Sequence, residues 1–176
     1  MTQSNLSCET QQLCAIAATG QYLFHGTNLE YPVLYSSIPH WNYEGNTYPD
    51  SDIPVVCAMD KPLVPTFMGL IAVTNARPCR SLTNELGGKD FAVPTRSRES
   101  LEQAVGFVAI LSRDLFELVE DIEVPAGYSG PRPGGRRAEW RSYAGSLEPV
   151  GYVSVTFDDF LGLLSTAPES TFRFMD

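Results

Sequence analysis

Gln21-Tyr22-Leu23-Phe24-His25-Gly26-Thr27 is the stretch on which the fold turns. It follows a glycine, is aromatic and apolar through its middle and leaves into polar residues, the pattern of a short strand bounded by turn chemistry. Four later runs read the same way: Pro54–Met59, Gly106–Leu111, Arg137–Tyr143 and Pro149–Thr156. Each is short, carries β-branched or aromatic residues, and is bounded by Gly, Pro, Asp or Ser. No segment repeats at a fixed period, which excludes a solenoid.

Helical signals are fewer. Lys61 to Val73 is helical in composition, and Pro65 is tolerated only near a helix start, so the helix is placed to begin close to Pro65. Ser100-Leu101-Glu102-Gln103 has cap grammar but meets Gly106 soon after, which allows a brief helix. Thr156-Phe157-Asp158-Asp159 resembles a capping box followed by Phe160, Leu161 and Leu164, and predicts a final helix of about two turns. Pro125 to Gly135 holds four glycines and three prolines and predicts a mobile loop. The expectation is one α+β domain over 1–176: an N-terminal segment 1–19, a core 20–157, and a C-terminal helix and tail 158–176.

Composition narrows the function classes. A chain of 176 residues with 43% hydrophobic and 19% charged residues can bury its own core without staples. The start lacks the basic and apolar regions of a secretory signal, and Leu63 to Val73 is too short to span a bilayer, so a cytoplasmic protein with no membrane segment is expected. Cys8, Cys14, Cys57 and Cys79 form no C-x-x-C pair and there are only two histidines, so reduced thiols and no metal are expected. The net charge of −9 argues against general affinity for phosphate backbones. The charge is uneven, however: residues 1–60 contain no Lys or Arg, whereas 61–141 contain eleven of the twelve. A polyanionic partner would meet that middle segment; the alternative is a solvated acidic surface that keeps the protein in solution.

Among residues that carry chemistry, His25 stands at the exit of an apolar strand beside Gly26. The glycine lets a ligand or another backbone approach closely, and the imidazole offers one donor and one acceptor. A lone histidine in this place is also a common hydrogen-bonded structural residue. Phe24-His25-Gly26-Thr27 at the end of an early strand resembles the first motif of the ADP-ribosyltransferase fold in its histidine-bearing branch, the diphtheria toxin and poly(ADP-ribose) polymerase type. Pro54-Val55-Val56-Cys57-Ala58-Met59-Asp60 resembles the second, a strand ending in a small residue before a helix beneath the nicotinamide pocket. Glu139 in Arg137-Ala138-Glu139-Trp140-Arg141-Ser142 resembles the third, following a Gly/Pro-rich loop. The resemblance spans roughly residues 20 to 157.

What this resemblance implies is an ADP-ribosyltransferase-like fold with two small packed β-sheets and short flanking helices, binding NAD as substrate without a metal. His25 would hold a ribose hydroxyl, the Gly26 backbone the nicotinamide carboxamide, and Thr27 would support both. Tyr31, Tyr35, Tyr43 or Phe67 would stack on the nicotinamide. Glu139 would stabilise the oxocarbenium character of a transition state like that of glycoside cleavage. Glu148 and Glu123 are rivals for that role, and an ion pair of Glu139 with Arg137 or Arg141 is the structural alternative. Arg132, Arg136, Arg137 and Arg141 would meet a protein or nucleic-acid acceptor, or else balance Glu120, Asp121 and Glu123.

The sequence departs from the family at two points: Arg137 stands two before Glu139, where relatives that modify arginine or nucleobases carry Glu or Gln, and Cys57-Ala58-Met59 stands where tyrosine or threonine is frequent. The biological setting stays open between toxin, immune effector, phage product and housekeeping enzyme. Removal of an RNA 2′-phosphate ranks lower, because His40, the other histidine, sits in a Pro-His-Trp setting read as a loop. A hydrolase ranks last, because no G-x-S-x-G element is present. A reading from another class is a non-catalytic acidic binding protein or inhibitor that keeps the fold.

Overall fold

The computed structural model describes residues 8–43, 46–49, 51–74, 80–83, 89–123, 136–160 and 164–167. In chain order they form α1 (Cys8–Ala18), β1 (Tyr22–Thr27), β2 (Leu34–Tyr35), β3 (His40–Tyr43), β4 (Asn46–Pro49), β5 (Val56–Ala58), α2 (Leu63–Thr74), β6 (Arg80–Thr83), β7 (Lys89–Pro94), α3 (Arg98–Glu102), β8 (Val105–Ser112), β9 (Glu117–Glu123), β10 (Arg136–Ser142), β11 (Ser146–Leu147), β12 (Gly151–Thr156) and β13 (Leu164–Ala167). The class is α+β, with small, mostly antiparallel sheets and few helices. Among the described residues the strands group into five sheets rather than the expected two.

Two of these sheets position the site. One has the order β1-β8-β12 and the other β5-β10-β9, all antiparallel. They meet edge to edge through a single bridge between Phe24 and Met59. The remaining strands form β13-β7-β6, with β13 parallel to β7, and the pairs β11-β2 and β3-β4.

Both faces of β1 are covered. Phe24 and, across the strands, Val108 and Val153 pack with Phe67, Leu70 and Ile71 of α2 and with Leu13 of α1. Leu23, Ala109 and Leu111 face the other way and pack with Val56, Ala58, Leu34 and Leu147. Helix α2 can lie close on β1 and β8 because glycines meet where it crosses them. A Cβ at Gly26 would stand 2.6 Å from the Gly69 nitrogen and closer still to the Pro65 carbonyl oxygen. One at Gly106 would stand 2.7 Å from the Gly69 oxygen. Pro65 sits in the first turn of α2, where its missing N–H would lack an intrahelical partner in any case.

The N-terminal segment 1–19 contains a helix docked on the core through the fully buried Leu13, and two expectations are corrected. The capping box at Thr156 forms in part, with the Asp159 carboxylate accepting the Thr156 N–H at 2.6 Å. Only a 3-10 turn, Phe157–Phe160, follows it, and from Leu164 the chain is taken up by pairing with β7. His40 opens a strand paired to Pro49 instead of lying in a loop. The Gly/Pro-rich loop from Pro125 to Gly135 lies outside the described residues, and so does Arg132. Among the described residues no helix is long and apolar enough to cross a membrane.

Candidate functional site

Strand pairing creates the site by stopping. The Phe24 N–H donates to the Met59 carbonyl at 2.8 Å, and the Met59 N–H donates to the Phe24 carbonyl at 3.0 Å. Backbone groups along a strand point alternately to its two edges, so those of Gly26 point the same way as those of Phe24. Continuing the register would place Gly26 opposite Cys57. Instead β1 and β5 part there, and His25 Nδ1 lies 2.7 Å from the Cys57 carbonyl oxygen. Further along the same edge of β5, Val55 exchanges both backbone hydrogen bonds with Ser37, at 2.9 and 3.1 Å. The imidazole thus fills the gap between two stretches of ladder.

That contact fixes the tautomer. A carbonyl oxygen only accepts, so Nδ1 carries the hydrogen and the neutral ring keeps Nε2 as its acceptor. Burial pushes the imidazole pKa below its ordinary 6.5, against smaller opposing effects of the Cys57 hydrogen bond and the negative charge of Glu139.

A groove of about 310 Å³ lies at the exit of β1, and no residue of β5 lines it. His25, Gly26 and Thr27 line it together with Tyr31 and Tyr35, and Ala72 of α2 closes one side. Its size is near the lower end of the roughly 300–1,000 Å³ usual for ligand sites. The Thr27 hydroxyl donates to the Leu29 carbonyl at 2.8 Å and so shapes the turn out of β1. Five of the residues expected from sequence therefore share one concavity.

Glu139 reaches the region from β10, next to a register shift between Arg137 and Glu139. Bulges of this kind re-aim a side chain. The carboxylate is largely buried and accepts a hydrogen bond from Arg141 Nε at 3.1 Å, and Arg141 itself is only 5% exposed. The ion pair with Arg141 anticipated as the structural alternative is thus present, and the same carboxylate also acts on His25 through its charge. Glu139 does not line the groove. Of its rivals, Glu148 is exposed, and Glu123 ends β9 opposite Arg136.

Phe67 is a correction. It is 2% exposed and stacks on Phe91 with ring centroids 4.3 Å apart, so it belongs to the core and offers no face to a ligand. Tyr43 ends β3, paired with Asn46 of β4. Arg136 and Arg137 lie on β10 opposite Glu123 and Ile122. Among the described residues no group of three or more His, Cys, Asp or Glu is placed to hold a metal ion.

Sequence reasoning missed the partners of the expected residues. Asn28 follows directly on Thr27, whereas Ala72 of α2 and Tyr152, which hydrogen-bonds Tyr31 from 121 positions away, carry no local motif and are brought in by the packing and by the strand registers. No protein-family model, curated protein or solved structure matches the chain.

Proposed function

We propose that this protein cleaves NAD at the bond between nicotinamide and ribose, as an ADP-ribosyltransferase acting on a macromolecular acceptor or as an NAD glycohydrolase. The observation that carries the reading is the split between β1 and β5. There a neutral His25, its Nδ1–H committed to Cys57, stands beside the free-running edge of Gly26 in a groove with Tyr31 and Tyr35.

The chemistry follows from these groups. A carboxamide presents a carbonyl acceptor and an NH2 donor side by side, which complement the N–H and C=O of Gly26 on its open edge. Nε2 of His25 is suited to accept from a ribose hydroxyl. A tyrosine face suits the flat nicotinamide ring. Nicotinamide leaves with the electron pair of its ribose bond, and the anomeric carbon gains a bond to the oxygen of water or to an acceptor nucleophile, which loses a proton. Positive charge grows on the sugar ring as the bond breaks, and a fixed carboxylate such as Glu139 stabilises it. Arg141 holds that carboxylate in one rotamer.

The test is release of nicotinamide from NAD by the wild type and by Glu139→Gln, with and without cell extract as a source of acceptors. The expected result is release by the wild type and a loss on the order of a hundredfold or more in the variant. Absence of both release and NAD binding in the wild type would sink the proposal. A second reading, a non-catalytic acidic binding protein, draws on a specific observation: Glu139 is tied to Arg141 and stands outside the groove lining.

A further inference from the structure

We infer that Tyr152 is a positioning residue that holds the Tyr31 wall of the groove, and that Tyr31 rather than Tyr35 is the ring presented to the ligand. The inference rests on the NAD-cleaving reading of the same groove.

Tyr152 stands on β12, two strands away from β1. Its hydroxyl donates to the Tyr31 carbonyl at 2.7 Å and accepts the Tyr31 N–H at 3.1 Å. One phenol thereby satisfies both backbone groups of a single residue in an irregular segment. The side chain of Tyr31 is fixed as well, because its hydroxyl donates to Asn28 Oδ1 at 2.7 Å. With the Thr27 bond to Leu29, the chain from residue 27 to 31 is held by side chains at successive points. An exposed connection has water for all these groups, so the small net gain from each bond gives little reason for such fixing unless a defined surface is needed there.

Tyr35 provides the contrast. It is 76% exposed on a strand of two residues, and among the described residues no side chain anchors its ring. Tyr31 is 37% exposed, so it is held in place and still offers a face. A wall fixed before the ligand arrives loses less entropy on binding than a ring that must be ordered by it.

Tyr152→Phe isolates the hydroxyl, since the ring that packs beside Ala109 and Leu147 is kept. The experiment measures kcat and KM for nicotinamide release by the wild type, Tyr152→Phe, Tyr31→Ala and the double variant. Amide hydrogen exchange across residues 28–33 is followed in parallel. Because a positioned wall contributes to binding of the ground state, KM is expected to rise on the order of tenfold in Tyr152→Phe with kcat little changed. If Tyr152 acts through Tyr31, the double variant has the KM of Tyr31→Ala alone. Exchange of the 28–33 amides should quicken in Tyr152→Phe while β1 and β8 stay protected. Multiplicative effects on KM in the double variant, or an unchanged KM in Tyr152→Phe, would overturn the positioning role and leave the functional reading standing. Wild type that releases no nicotinamide overturns both.

Discussion

Replacing His25 by Asn removes the titrating ring at the split while keeping an N–H donor near the place of Nδ1, and the pH dependence of stability then reports the state of the imidazole. Burial holds the folded pKa below 6.5. Between that lowered value and 6.5, the unfolded chain binds a proton that the folded chain does not. Stability therefore rises with pH through this window, by at most about 1.4 kcal/mol per pH unit for one group, and this contribution is flat above it. On acidification the stability is lost through the same window, until the folded ring is protonated too. Urea unfolding of wild type and His25→Asn from about pH 5 to about pH 8 reports the histidine together with its coupling to Glu139, because titrations not coupled to His25 cancel in the difference. The variant should match the wild type within about 1 kcal/mol at the alkaline end and lose less as the pH falls. His25→Ala, which removes the Nδ1–H bond to the Cys57 carbonyl, should cost about 1–3 kcal/mol even at the alkaline end. Parallel curves for wild type and His25→Asn would refute the claim that burial keeps the ring neutral. A wild type that gains on the variant as pH falls would mean that the charge of Glu139 outweighs burial.

Other outcomes follow from the packing. Gly106→Ala and Gly26→Ala drive a methyl into the backbone of α2 and should cost about 1–3 kcal/mol or more in thermal or urea unfolding, whereas Gly145→Ala and Gly151→Ala, with nothing within 4 Å of the added carbon, should stay within about 1 kcal/mol. Phe67→Ala removes a buried ring from its stack on Phe91 and should cost about 3–5 kcal/mol, while KM for NAD measured on the folded fraction stays as in the wild type; a raised KM would return Phe67 to the site. Glu102→Gln breaks an exposed pair with Arg98 at 2.7 Å and should change stability by less than about 0.5 kcal/mol.

The parts of the fold legible in sequence are those whose signal is local. β1, β5, β8, β10 and β12 lie within two residues of their expected bounds because each is a short run with β-branched or aromatic residues between turn residues. α2 was legible from its composition and from Pro65 near its start. α1 was not, although Leu13, Ile16 and Ala17 have the i, i+3, i+4 spacing that packs against the core, because the segment Cys8–Ala18 is otherwise polar or small. β13 was hidden because pairing to β7, more than seventy positions back, decides its state rather than its own cap. The site divides in the same way. His25, Gly26, Thr27, Tyr31 and Tyr35 come from one stretch of chain, and a strand exit suffices to gather them. Phe67 was misplaced because an aromatic in an apolar helix looks alike whether it faces a core or a cleft. The role of Tyr152 depends on the antiparallel register of β12 on β8 and β8 on β1, which no local pattern encodes.

The structural and functional readings of His25 were rivals in sequence, and the geometry joins them. Past the Phe24–Met59 bridge no backbone pairing joins β1 to β5, so the Cys57 carbonyl takes its donor on this edge from a side chain. Nδ1–H of His25 supplies that donor, so the ring makes the split tolerable and by the same bond sets Nε2 as its acceptor. Gly26 plays the matching part: its lack of a side chain lets α2 close on one face, while its backbone edge stays turned to the gap. His25→Asn separates the two roles, since an amide can replace the donor to Cys57 but has no counterpart of Nε2. Under the proposed reaction the variant should unfold like the wild type near pH 8 and release nicotinamide on the order of a hundredfold more slowly, as for loss of a positioned polar contact at a reacting sugar. Undiminished release from a stable His25→Asn protein would confine the histidine to holding the strands apart and move the search for the ribose contact to Asn28 and Tyr31.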